Sequence, residues 1–270
     1  MLADPIFWYG LALKVALTAG IVVAASILVE RSGPFIGSLI ASLPTAGGAA
    51  MIILAVEHTP AFIAQSAVGN LIANASTAVL ALVYAALAQR RSLVVSLGGA
   101  FVVWFVVIAL SRLIEWTAVS AAVFNAVAYP LAIWLSRRYR VDSGGRGKVT
   151  LTGADLVWRA TIVTVVVIVV TTASHSIGAL TSGIFAFFPV AFGAFLIILH
   201  TRLGGPAAAS VAAHVLTPLI GLGLSFVVVH LLAEPIGVWW SYLAGLSVGI
   251  AWNAMLWLVR NRMPRISPAG

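Results

Sequence analysis

Residues 155–174 read DLVWRATIVTVVVIVVTTAS. Beyond Arg159 this run carries no charge, and its apolar residues do not alternate with polar ones. It has neither the two-residue rhythm of a barrel strand nor the polar face of a soluble amphipathic helix. Its 20 residues, at about 1.5 Å each, cover roughly the 30 Å hydrocarbon thickness of a bilayer. Such a run reads as a membrane-spanning helix.

Similar runs fill the chain on both sides of it. Nine spans are predicted, at residues 7–29, 34–56, 60–88, 93–113, 116–136, 155–174, 178–200, 206–232 and 236–259. Breakers such as Glu30-Arg31-Ser32-Gly33-Pro34, Glu57-His58-Thr59-Pro60 and Arg202-Leu203-Gly204-Gly205-Pro206 separate them. Proline and glycine stand there where helices start and stop. Composition agrees: of 270 residues 62% are apolar and 8% charged, and the mean hydropathy is +1.11. Soluble domains are about 45–50% apolar and about 25% charged, so a soluble enzyme, a disordered chain and a fibrous repeat are excluded. Cysteine is absent, which removes disulfides and thiolate sites. The N-terminal MLADPIFWYGLALK has an acid and no basic region ahead of its apolar run, so it reads as a first span rather than a cleavable signal.

The formal charge of +8 reports orientation. Threading the spans alternately puts Arg31, Arg90, Arg91, the basic residues of 137–148, Arg159, Arg202 and the arginines of 260–265 on one side. The other side receives Arg112 with Asp4, Glu57, Glu115 and Glu234, while Lys14 lies inside the first span. Basic loops stay in the cytoplasm, so the N-terminus is expected outside and the C-terminus inside. The cluster from Arg137 to Lys148 reads as an anchor against anionic lipid rather than a nucleic-acid site.

The chain also repeats. At an offset of 145, Lys14 falls on Arg159, Gly33 on Gly178, Ala41 on Ala186 and Pro44 on Pro189. At an offset of 123, Trp116 falls on Trp239, Trp134 on Trp257 and Arg137 on Arg260. The offset changes because the second half lacks a fourth-span counterpart. Residues 1–140 are read as a repeat of five spans, 141–153 as a cytoplasmic linker, and 154–262 as a repeat of four. Five is odd, so the second repeat is turned over in the membrane. The expected fold class is an all-α integral membrane protein of about nine helices in two inverted repeats.

Leu13-Lys14 and Ser38-Leu39-Ile40-Ala41-Ser42-Leu43-Pro44-Thr45 resemble the small GlpM-like bacterial inner-membrane proteins, with a weaker echo at residues 185–189. The resemblance covers about residues 10–90, and 155–260 as a duplicated copy in which Arg159 replaces the lysine. It implies a bacterial inner-membrane location and supplies no substrate.

Candidate binding residues lie at mid-span. Pro44 and Pro189 each stand about ten residues into a span, near the midplane. Each removes a helix hydrogen bond, giving either a simple kink or a free helix N-terminus facing a ligand. Thr45 adjoins the first. Asn70, Asn74, Asn125, His214 and Asn253 are polar groups at membrane depth, costly unless they face protein or water. Asn70 and Asn74 share a helix face, and Asn70 and His214 occupy matching depths in the third and eighth spans. These groups either line a ligand site or join helices by hydrogen bonds worth about 0.6 kcal/mol each. Lys14 and Arg159, the cations within the spans, either snorkel to an interface or guide an anion. No carboxylate lies within a span, so proton coupling would use His58, His214 or His230.

No nucleophile elbow, phosphate-cradling loop or His-x-x-x-His pair is read, so no enzymatic activity, cofactor or metal site is expected. The expected function is secondary transport of a small polar or anionic organic solute by alternating access. The alternatives are a flippase or scramblase for an anionic lipid or lipid-linked sugar, and a non-transporting membrane subunit of an envelope-assembly complex. The expected partners are the bilayer, the solute and a coupling proton, with homodimerisation left open.

Overall fold

The structure, a computed structural model, describes residues 15, 16, 18–20, 23, 24, 45–140 and 152–262. Its elements are α1 (Thr45–Glu57), α2 (Pro60–Leu87), α3 (Leu93–Ser111), α4 (Ala118–Ser136), α5 (Gly153–Ala186), α6 (Val190–Leu203), α7 (Gly205–Ile236) and α8 (Val238–Arg262). A 3-10 turn, Arg137–Tyr139, closes α4. Among the described residues there is no strand, and six helical stretches are long and apolar enough to cross a membrane. The chain is a multi-pass helical membrane protein. Its valine-rich α5 is helical despite the strand preference of β-branched residues. In hydrocarbon the backbone must satisfy its own hydrogen bonds, and a lone strand cannot.

Local chemistry starts these helices close to their predicted positions. Thr59 accepts from the Phe62 amide ahead of Pro60, and Thr117 with Ser120 forms a capping box. A second box, Thr152 with Asp155, ends the linker at Thr152. The turns are tighter than predicted. Gly178 alone, at φ 76° and ψ 167°, breaks α5 where a short loop was expected. Gly204 and Gly237 adopt nearly the same conformation between α6, α7 and α8. This region is open essentially to glycine alone, and a side chain there costs about 1–3 kcal/mol. The predicted span 178–200 is interrupted: α5 ends at Ala186, and α6 restarts after Pro189, with no side chain capping it.

The long helices α2 and α7 pack along each other at the centre, with α5 and α8 against them. Helices α2 and α5 approach closely because a Cβ on Gly69 would run into the Leu180 carbonyl, and one on Gly183 into the Ser66 carbonyl. Helices α3, α4 and α8 present Val102, Phe105, Val123, Leu131, Leu243 and Ile250 outward, as a lipid-facing rim does. Helix ends meet at two faces. At one, Arg112 donates to Thr181 at 3.0 Å and His58 lies against His175. At the other, Tyr84 Oη is 2.9 Å from His200 Nδ1, and Arg202 pairs with Asp155.

Candidate functional site

Two of the predicted polar residues are consumed by each other. Asn74 on α2 donates to Asn125 Oδ1 on α4 at 3.0 Å and to the Leu219 carbonyl of α7 at 3.3 Å. Tyr129 donates back to Asn74 Oδ1 at 2.9 Å. Asn125 spends its amide hydrogens on the Leu71 and Ala121 carbonyls, both at 2.8 Å. An amide has two donor hydrogens, and all four are used. Gly223 admits the pair, since a Cβ there would sit 3.0 Å from Asn74 Nδ2. This network holds α2, α4 and α7 together, the helix-joining arrangement of the two expected for these residues, with no amide hydrogen of the pair left over.

Asn70 and His214 match in depth, but Asn70 is buried and His214 exposed. Asn70 is 1% exposed, and its buried Oδ1 has no hydrogen-bond partner among the described residues. His214 is on the exposed face of α7, its Nδ1 2.7 Å from the Ser210 carbonyl. The offset matched their depth but not their rotation about the helix axis. Lys14 and Pro44 lie outside the described residues, Thr45 opens α1, and Arg159 stands in the second turn of α5.

The proline break packs against α1 and α7. A Cβ on Gly47 would touch the Phe187 ring at 3.0 Å, so the start of α1 abuts the break between α5 and α6. Phe187 meets Phe226 of α7 edge to face, 5.2 Å between centroids. Phe226 also lines a cavity of about 180 Å³ between α1, α7 and α8. Gly48, Met51, Pro218, Phe226, Gly249 and Asn253 are among its walls. Tyr242 donates to the Met51 carbonyl at 3.0 Å, tying α8 to α1 beside it. The lining is carbon except at Ser225, Tyr242 and Asn253, and it includes no cation. Of the predicted residues Asn253 lines this space, and Pro189 ends the break behind it.

Several signals were passed over in the sequence. Gly245 and Gly249, four apart, let α8 close on Ser225 of α7. The same stretch, Gly245-Leu246-Ser247-Val248-Gly249, matches the letters of a hydrolase elbow. That elbow needs a strand-to-helix turn, whereas here Ser247 is mid-helix and donates to the Leu243 carbonyl. Glu57 and His58, adjacent in sequence, meet His175 across the fold, against the expectation that no metal-ligating group forms. Protein-family models, curated proteins and solved structures gave no match to the chain.

Proposed function

We propose that the chain is a secondary transporter of a bacterial inner membrane, carrying a small monocarboxylate with a compact apolar body. The observation that carries this is the cavity beside a helix broken at mid-span. Discontinuous helices at the midplane are where such transporters bind solutes, with the free N-terminal end facing the anionic group. Engineered cavities of about 150 Å³ hold benzene, so about 180 Å³ suits a body of that order. The carbon lining favours an apolar body and so narrows the small polar or anionic organic solute expected from sequence.

The inverted-repeat reading has independent support. Tyr129 of α4 donates to the Asn74 carbonyl of α2 at 3.1 Å. Trp252 of α8, at the 123-residue offset, donates to the Thr217 carbonyl of α7 at 3.0 Å. The stretch Gly153–Leu203 has 51 residues, about 76 Å of helix, which is two crossings turning at Gly178. Taken with the apolar runs that the sequence places before residue 45, this supports our reading of nine crossings in halves of five and four. Arg90 and Arg91 stand at the face holding Arg202, where a Cβ on Gly205 would meet the Ala88 carbonyl, and this excess of arginine supports reading that face as cytoplasmic.

A second reading is favoured by one residue. Leu246 lines the cavity and is 44% exposed on α8, so the space reaches the lipid-facing surface. A lipid tail entering sideways would use that edge, as in a scramblase. Gly48→Leu separates solute transport from a structural role. A Cβ at Gly48 meets nothing within 4 Å, so the larger side chain fills the cavity without a clash at its root. Uptake by proteoliposomes is expected to fall at least tenfold with the unfolding temperature held or raised. Unchanged uptake would remove the cavity from the pathway.

A further inference from the structure

At the corner between α1 and α2, Glu57 and His58 meet His175 of α5. A carboxylate oxygen and two imidazole nitrogens, one ligand atom per residue, lie within 4.8 Å of one another. His58 is held in place: its ring stacks on Phe62 with centroids 3.7 Å apart and planes 6° from parallel. It faces the His175 ring at 4.4 Å, and its Nε2 is 2.7 Å from Ser174 Oγ. Ser174 spends its own hydrogen on the Thr171 carbonyl at 2.7 Å, so towards His58 it accepts. In the neutral tautomer with the proton on Nε2, Ser174 accepts it and Nδ1 carries the lone pair. A second nitrogen donating to a fixed acceptor is the arrangement that orients and tautomerises metal-bound imidazoles.

We infer that Glu57, His58 and His175 form a binding site for a divalent transition metal of zinc's class. Two nitrogens and one carboxylate oxygen suit zinc with a fourth position left for water, whereas magnesium and calcium prefer all-oxygen sets. Ligands about 2.1 Å from a tetrahedral ion stand roughly 3.4 Å apart. Closing from 4.8 Å asks for side-chain shifts on the order of an ångström, and His175, exposed, is placed to make them. The site joins α1 and α2 to α5 three residues before the Gly178 turn, so a bound ion ties the two halves at one face. It is separate from the cavity and does not depend on the transport reading.

The test uses the full chain in detergent, stripped by a chelator and titrated with zinc, nickel and magnesium. One zinc per chain is expected, with a higher unfolding temperature on binding. Ser174→Ala should weaken zinc about ten- to a hundredfold, as loss of an outer-shell partner does. His175→Ala should weaken it at least tenfold while leaving the metal-free unfolding temperature unchanged. Nickel should compete and a thousandfold excess of magnesium should not. The assignment is overturned by absent stoichiometric zinc, by zinc binding indifferent to His175→Ala, or by displacement with magnesium.

Discussion

At the residue scale, the amides of α2 divide by what they touch. Asn74 has both hydrogens and its carbonyl engaged, so its loss leaves Asn125, Tyr129 and Leu219 without their partner. Asn74→Leu is expected to lower the unfolding free energy by about 1–3 kcal/mol, measured by denaturation in detergent, with uptake per folded molecule retained. Asn70 is the converse case, buried with Oδ1 unpartnered among the described residues. An unsatisfied buried oxygen costs about 1–3 kcal/mol, so Asn70→Leu should raise stability. Lower uptake in the same variant would mark the residue as kept for function rather than folding. Sequence could rank both as costly polar groups at depth, but not tell them apart. Satisfaction depends on partners on α4 and α7, which no spacing within α2 encodes.

At the element scale, the glycines give opposite signs. Gly183→Ala drives a methyl into the Ser66 carbonyl of α2 and should destabilise, whereas Gly48→Ala meets open space and should gain up to about 1 kcal/mol from helix propensity. Comparing the two unfolding temperatures checks the pair. Helix identity and approximate length were legible because each apolar run is long and its breakers are strong, as at Thr59-Pro60 and Thr117. The broken helix at Pro189 was legible too, since proline acts locally. The turn at Gly178 looked like a loop, because a single glycine at positive φ leaves the same letters as a longer break. Rotation of each helix was illegible, since α3, α4, α7 and α8 are apolar around most of their circumference. That is why His214 was expected inward and lies outward, and why the cavity between α7 and α8 had no single-residue signature.

At the scale of the whole molecule, the proposed orientation rests on loop charge. The chain has no cysteine, so single introduced cysteines report sidedness without background. Glu115→Cys is expected to react with an impermeant maleimide on intact cells, and Ser143→Cys only after permeabilisation. The reverse pattern would invert the topology. In the proposed transport a small apolar-bodied carboxylate crosses through the space between α1, α7 and α8. Uptake of radiolabelled benzoate and leucine into proteoliposomes, for the wild-type chain beside Gly48→Leu, tests it most directly. Saturable uptake of at least one probe, lost when Gly48→Leu fills the cavity in a chain that unfolds no earlier, is the predicted result. No saturable uptake of either, or equal uptake by the two chains, would contradict it.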